Sequence, residues 1–271
     1  MDAIVHVVRC FKDPNISHVY EDINPVRDVE VVNLELILSD LEGIEKRIEK
    51  VQRMAKGGER RYITEYELLK RVKEELLKGV SLRNIKLTYE ERTVIDQLFL
   101  ISNKPVIYAA NVDEDDLGKN IVDIPAVKEL YEYASSEGSE VIIVSAKIEE
   151  EMMQLSPDER ELFRRELGVS NSGINRLIEA SYKLLELISF ITIKPPEIRA
   201  WTVKQGTRAP EAAGKIHTDF QKGFICVEII DYETLINIGS YTEARERGLV
   251  RREGKDYIMK DGDIALFKFN V

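Results

Sequence analysis

Apolar positions along this chain keep three different rhythms, and each predicts a different kind of element. The sequence opens on Ala3-Ile4-Val5-His6-Val7-Val8, an unbroken, largely β-branched run, which is the pattern of a strand buried on both faces. After Asp13-Pro14-Asn15 and Asn24-Pro25 the spacing changes. Leu34, Ile37, Leu41, Ile44, Ile48, Val51 and Ala55 recur at alternating steps of 3 and 4 with charged residues between them, predicting a helix with an apolar seam. Gly57-Gly58 ends it. A second amphipathic stretch uses Tyr66, Leu69, Val72 and Leu76 and stops at Gly79. Two helices on a short polar link predict an antiparallel helical hairpin projecting from the body. Its seam reads equally as core and as a surface for a partner.

From residue 104 the grammar is strand, helix, strand. Pro105-Val106-Ile107-Tyr108-Ala109-Ala110 leads into the polar turn Asn111-Val112-Asp113-Glu114. A helix from Ile124 to about Ser136 then leads to Val141-Ile142-Ile143-Val144 and Ser145-Ala146-Lys147. That order predicts a doubly wound α/β sheet, whose ligands bind at the carboxyl ends of the strands, where these two turns sit. Helices follow at 158–167 and 173–187, the latter after Ser170-Asn171-Ser172-Gly173. The last stretch holds short strands at Ile188 to Ile193, Arg199 to Val203, Phe224 to Ile230, Tyr257 to Met259 and Ala265 to Phe269. One helix, capped by Thr207 with Pro210 in its first turn, lies between the second and third, and Asp261-Gly262 turns into the final strand. This is the order of a β-grasp, ubiquitin-like sheet.

Composition narrows the function classes. With 44% apolar residues in 271, the chain supports a packed core and one to three domains. No run free of Asp, Glu, Lys and Arg exceeds nine residues, well short of the roughly 20 that span a bilayer, and no basic region precedes an apolar run at the N-terminus. Cys10 and Cys226 stand too far apart for a metal or redox spacing, so they read as reduced thiols of a cytoplasmic protein. Net charge is −10 but uneven: residues 188–271 hold 13 basic and 12 acidic residues, a net of +1, and residues 1–187 hold 26 and 37, a net of −11. Averaged this way, the last eighty residues are the part suited to phosphates.

Candidate chemistry is concentrated in the two strand-end turns. A phosphate-binding GxxxxGK[ST] loop does not occur in these 271 residues: Gly precedes Lys only at 118–119, 214–215 and 254–255, and no Ser or Thr follows. DxxG strings at Asp40–Gly43 and Asp115–Gly118 read as coincidental. Guanine-specific NTPases use an Asn-Lys-x-Asp turn, whose Asp accepts from two guanine N–H groups. Here the turn is Asn111-Val112-Asp113-Glu114. Adenine presents a lone pair at N1, so losing the Lys and displacing the acid argues against guanine and permits adenine. Ser145-Ala146-Lys147 at the end of the next strand is the kind of turn that completes a base pocket.

These residues, with DAIVHVVRCF at 2–11, NPVRDVEVVNLELILSDLE at 24–42, KPVIYAANVDE at 104–114, VSAKIEEEM at 144–152, the block at 197–225 and EGKDYIMKDGDIALFKFNV at 253–271, closely resemble the YchF family of Obg-related P-loop NTPases. The resemblance implies a partial G domain at 1–33 and 98–187, a helical coiled-coil arm at 34–97 and a C-terminal TGS domain at 188–271. It implies ATP preference over GTP, Mg²⁺ in the complete family protein, and association with ribosomes and ribosomal RNA. Asn111, Val112 and Glu114 match the adenine-contacting turn, and Ser145, Ala146 and Lys147 the last nucleotide motif. The family's P-loop and switch regions fall before Met1, about ninety residues of the family pattern. The expectation is a chain that hydrolyses no ATP alone, binds nucleotide weakly or not at all, and self-associates through the uncovered edge of its first strand. A start placed too far downstream would produce the same pattern. In the last domain Cys226 stands where the family usually has a basic residue, and Lys194-Pro195-Pro196-Glu197 departs from the usual turn.

The remaining candidates have bland and sharp readings. Lys204, Arg208, Lys215 and Lys222 form either a basic patch for ribosomal RNA or an ordinary solvated face. His217 and Asp219 read as structural rather than as a catalytic pair, since no nucleophile or third ligand lies nearby. Trp201 and Phe220 read as core, and His6 and His18 as structural. No metal site and no membrane partner is expected.

Overall fold

The computed structural model describes residues 1–20, 22–169, 171–194 and 197–270. Two compact units divide it, Met1–Ser181 and Tyr182–Val271. Expectations resting on Ser170 and on Pro195-Pro196 lie outside the described residues.

In the first unit, strands β1 (Ile4–Arg9), β2 (Val106–Asn111) and β3 (Glu140–Val144) form a parallel sheet in the order β1-β2-β3. Its register places Arg9 opposite Asn111 and Asn111 opposite Val144, so the three strands finish level. The sheet's core joins Val8, Cys10, Val106, Tyr108 and Ala110 to Val29 of helix α1 (Pro25–Ala55) and to Val127, Leu130 and Ala134 of helix α4 (Pro125–Ser136). β2 is covered on both faces. β1 is not: Val5 and Val7 are 42% and 63% exposed, so the run expected to be buried on both faces is buried on one. The cause is that the core packed on β1 lies on its Ile4-His6-Val8 side alone.

Between β1 and β2 the chain leaves in helices α1, α2 (Arg60–Leu77) and α3 (Tyr89–Asp96). Ile37, Leu41, Ile44 and Val51 of α1 pack against Leu68, Leu69, Val72 and Leu76 of α2, closed by Leu82, Ile85, Ile95 and Leu100. The pairs Glu45–Lys73 and Gln52–Tyr66 advance along α1 as they retreat along α2, so the hairpin is antiparallel. Gly58, at φ +82°, makes the tight turn at its tip.

The seam departs from expectation at its root. α1 begins at Pro25, with the Asn24 side chain accepting from the Arg27 N–H at 2.9 Å; the Asn-Pro that precedes the apolar seam is an N-cap with proline at the first helical position. Leu34 is 48% exposed, whereas Asn33 and Asp40 are buried. Asp40 accepts from the Ile101 and Ser102 N–H groups at 2.8 and 2.6 Å, so this Asp of a DxxG string holds the loop that feeds β2. Helices α5 (Ala146–Met153), α6 (Pro157–Glu166) and α7 (Gly173–Leu184) follow β3. α7 ends three residues earlier than expected because Glu186 takes a left-handed backbone, φ 51°.

In the second unit, β4 (Leu187–Lys194), β5 (Glu197–Lys204), β6 (Phe224–Asp231), β7 (Arg251–Glu253) and β8 (Asp263–Phe269) form a sheet in the order β5-β4-β8-β6-β7. The first and last strands lie parallel at its centre, the strand order of a β-grasp sheet. Ile188, Phe190, Val227, Ile229, Ala265 and Phe267 face α8 (Ala209–Ile216). The alternate residues Ile230 and Ile264 face α10 (Tyr232–Ile238) and α11 (Tyr241–Glu246), two helices the apolar pattern did not predict. Tyr257 to Met259 is not a strand: Ile258 makes one bridge, to Arg208, because the segment pairs with the loop before α8. That helix is capped at Arg208 rather than Thr207, whose hydroxyl donates to the Lys204 carbonyl. A second short helix, α9 (Thr218–Lys222), follows it.

Replacing Asp40 by Ala strands two N–H groups in a buried loop and is expected to cost about 3 kcal/mol. Urea unfolding followed by helical circular dichroism measures it; a loss below about 1 kcal/mol contradicts the role given to this carboxylate.

Candidate functional site

The level ends of β1, β2 and β3 bring two turns together, and one residue ties them. The Asn111 backbone carbonyl accepts from the Cys10 N–H at 2.8 Å. Its side-chain Oδ1 accepts from the Ala146 N–H at 2.9 Å, across from β2 to the start of α5. The Val112 N–H donates to the Val144 carbonyl at 2.8 Å, extending the sheet by one further bond. An Asn is required for this geometry because a carboxamide offers an acceptor to the backbone of the neighbouring turn and keeps an NH₂ group with two donors. That Nδ2 has no partner among the described residues.

The other expected residues divide into buried supports and exposed groups. Val112 and Ser145 are buried, fixing the backbone on either side of the Asn111–Ala146 bond. The Glu114 carboxylate meets the Lys147 ammonium at 2.7 Å, and this contact raises the Lys147 pKa above its ordinary value. Both side chains are exposed, so solvent screens the pair and leaves it easily exchanged. Asp113 was passed over in the sequence except as a displaced acid; its Oδ1 accepts from the Glu114 N–H at 2.8 Å and caps the single 3₁₀ turn that presents Glu114. The signal for it is an Asp immediately before Glu-Asp-Asp, a helix-start pattern. Gly173, at the start of α7, lies so close to β3 that a Cβ there would come within 2.9 Å of Val144 Cγ1. Its N–H donates to Glu149 of α5, which fixes the helix that begins at the second turn.

In the second unit, Lys204, Arg208, Lys215 and Lys222 are all exposed. Two are engaged: Lys204 donates to the Leu185 carbonyl at 2.8 Å and Arg208 to Asp256 at 3.2 Å. His217 accepts at Nδ1 from the Asp219 N–H, 3.2 Å away, which caps α9 and makes the pair a structural one. Trp201 and Phe220 pack against the core, Trp201 donating to Thr192 at 2.9 Å and Phe220 stacking on Phe269 at 3.7 Å. His18 lies 3.0 Å from Asp28, and His6 packs 5.7 Å from the Tyr108 ring. Cys226, where a basic side chain had been expected, receives the Arg252 Nε at 3.0 Å. Among the described residues no three His, Cys, Asp or Glu side chains converge as metal ligands, and no helix is long and apolar enough to cross a membrane.

A family model described as YchF-GTPase_C, protein of unknown function (DUF933), matches residues 187–270. The ribosome-binding ATPase YchF of Bacillus subtilis (strain 168) is 45% identical over 271 residues, spanning 100% of this chain and 74% of that protein. The protein of the same name from Escherichia coli O157:H7 is 44% identical over 270 residues, spanning 100% and 73%. The chain belongs to the YchF family. Its structure agrees with that of the Schizosaccharomyces pombe YchF GTPase at a TM-score of 0.84 and 32% identity, over 98% of this chain and 72% of that one. The YchF resemblance read from the strand-end turns and the flanking blocks is thereby established along the whole chain.

Cys10 sits directly behind Asn111, and burial, with a smaller contribution from the Asp28 charge, pushes its thiol up to about 12 from an ordinary value of 9.0. The unfolded chain surrenders this proton near pH 9, whereas the folded chain holds it to about 12. The thiol's contribution to stability is therefore complete below the unfolded value and is lost as pH rises through this window. Urea midpoints are expected to fall between pH 9 and 11 less steeply in Cys10→Ala than in the parent; equal slopes contradict the assignment.

Proposed function

We propose that this chain is the base-binding and ribosome-associating portion of a cytoplasmic YchF-type ATPase. Residues 1–33 and 98–187 act as a partial nucleotide-binding domain, 34–97 as a coiled-coil arm and 188–271 as a TGS domain. The observation carrying the nucleotide part is the Asn111–Ala146 hydrogen bond, which holds two turns at the carboxyl ends of neighbouring parallel strands, where α/β sheets take their ligands. Adenine suits the groups left over. The free Asn111 Nδ2 would donate to adenine N7, and the Glu114 carboxylate would accept from its N6 amine once Lys147 swings aside to cover the base. Val112, Ser145 and Ala146 hold the backbone that frames it.

Phosphate chemistry is another matter. In P-loop NTPases the triphosphate and Mg²⁺ are held by loop N–H groups and a Lys, and these supply the catalysis. These 271 residues contain no GxxxxGK[ST] string. A base pocket alone offers stacking and a few hydrogen bonds, on the order of −4 kcal/mol, or millimolar affinity. ATP hydrolysis of the kind in the relatives' name is proposed for a YchF polypeptide that carries the phosphate loop, not for these residues by themselves. The exposed Val5 and Val7 and the open edge of β1 favour self-association of the isolated chain.

Ribosome association is supported by the name of the relatives, which cover this chain entirely, and Lys204, Arg208, Lys215 and Lys222 are offered as contacts to ribosomal RNA. A second reading, a purely non-catalytic module whose arm and TGS domain bind RNA, is supported by the exposed Lys204, Arg208, Lys215 and Lys222. Calorimetric titration with ATP·Mg²⁺ and co-sedimentation with purified ribosomes test both. The expected result is co-sedimentation with no measurable heat at sub-millimolar ATP. Micromolar ATP binding overturns the weak-binding assignment, turnover by these residues overturns the non-hydrolysing one, and failure to sediment overturns the ribosomal one.

A further inference from the structure

The acidic average over residues 1–187 conceals a reversal within the helical hairpin. Residues 25–45 of α1 hold one basic and six acidic residues, a net of −5. Residues 46–61, which run to the tip and around it, hold seven basic and two acidic, a net of +5. The most concentrated positive charge of a chain with net −10 therefore sits on the projecting end of the hairpin. Lys46, Lys50, Arg53, Lys56, Arg60 and Arg61 are all exposed there, and none enters a salt bridge among the described residues. Arg47 alone is paired, with Glu65, and holds α1 to α2 beneath the tip.

Helix stability accounts for only part of this placement. Lys46, Lys50 and Arg53 are spaced 4 and 3 apart on one face of α1, where like charges destabilise a helix. Arg60 and Arg61 occupy the first turn of α2, which contains no acidic residue, although the helix dipole favours anions at that end. The dipole and Glu49 favour Arg53 in the last turn of α1, but the Lys46–Lys50–Arg53 repulsion and the basic first turn of α2 work against the hairpin and are relieved by a polyanion. Seven helical residues rise about 10 Å, roughly one Debye length at 0.1 M salt, so the cluster acts on a ligand as one patch. Lys and Arg dominate it, which suits phosphates rather than base edges.

We propose that the hairpin tip, residues 46–61, is a docking surface for the phosphate backbone of ribosomal RNA and supplies the larger part of the electrostatic contact. This rests on the ribosome-associated reading above. The test compares the full chain with two combined variants, one carrying Lys50→Gln, Arg53→Gln, Arg60→Gln and Arg61→Gln, the other carrying Lys204→Gln, Arg208→Gln, Lys215→Gln and Lys222→Gln. Binding to purified ribosomes and to protein-free ribosomal RNA is measured from about 50 to 200 mM salt. The tip variant is expected to bind both at least tenfold more weakly, with the slope of log K against log salt reduced by about 3. Its thermal midpoint is expected to be essentially unchanged, since all four positions are exposed; this separates lost contact from lost fold. Equal binding by the parent and the tip variant overturns the proposal, as does a loss confined to the second-unit variant. A loss on ribosomes but not on protein-free RNA also overturns it and assigns the tip to an acidic protein surface. A parent that binds neither overturns the ribosomal reading itself.

Discussion

Everything proposed for the first unit depends on where three parallel strands stop. A parallel ladder leaves its last carbonyls and N–H groups without strand partners, and turns that follow neighbouring strands are free to diverge. Asn111 prevents this at both levels, its backbone carbonyl taking the Cys10 N–H and its side chain the Ala146 N–H. The sheet end becomes one surface rather than three loops. Val112 and Ser145 can then be buried while Glu114 and Lys147 face solvent, and the carboxamide NH₂ keeps two donors that no described residue takes. Hydrophobic packing of α1 and α4 places the strands, but this polar bond places the turns.

Much of this was legible in the sequence because its causes are local. Unbroken β-branched runs, such as Val141 to Val144, read as strands, and the alternation of Phe190 and Ile191 across β4 follows from a period of two. The Asn111 and Ser145-Ala146-Lys147 turns could be read because their chemistry lies in consecutive residues. What failed was decided by partners distant in sequence. Nothing near Asn33 or Asp40 announces that Tyr133 and the Ile101–Ser102 loop will take them into the interior while Leu34 stays exposed. Asn24-Pro25 has the composition of a turn and of a helix start alike, and only the Asn24–Arg27 bond chooses between them. The α10 and α11 segments rest few apolar side chains on the sheet, Leu235 and Ala244 among them, too weak a rhythm to predict a helix.

Charge averaged along the chain says less than charge placed by the fold. A sum over 187 residues is a statement about solubility and long-range field, whereas binding responds to charge within a Debye length. Folding α1 and α2 into a hairpin brings the C-terminal end of one helix and the N-terminal end of the other to the same tip, so residues 46–61 become a single basic surface. The acidic root of the same hairpin offsets it in the total. The tip is carried by α1, whose root packs on the sheet through Val29, while base recognition is proposed for the turns that follow β2 and β3.

The most direct measurement of the central claim is amide hydrogen exchange at Ala146, compared between the parent chain and Asn111→Ala. If the carboxamide holds the two turns together, the Ala146 N–H is protected in the parent and loses that protection in the variant, while the Val112 N–H, bonded to the Val144 carbonyl, keeps its own. Unchanged protection of Ala146 in Asn111→Ala would contradict the account, because the turns would then be placed by something other than this bond.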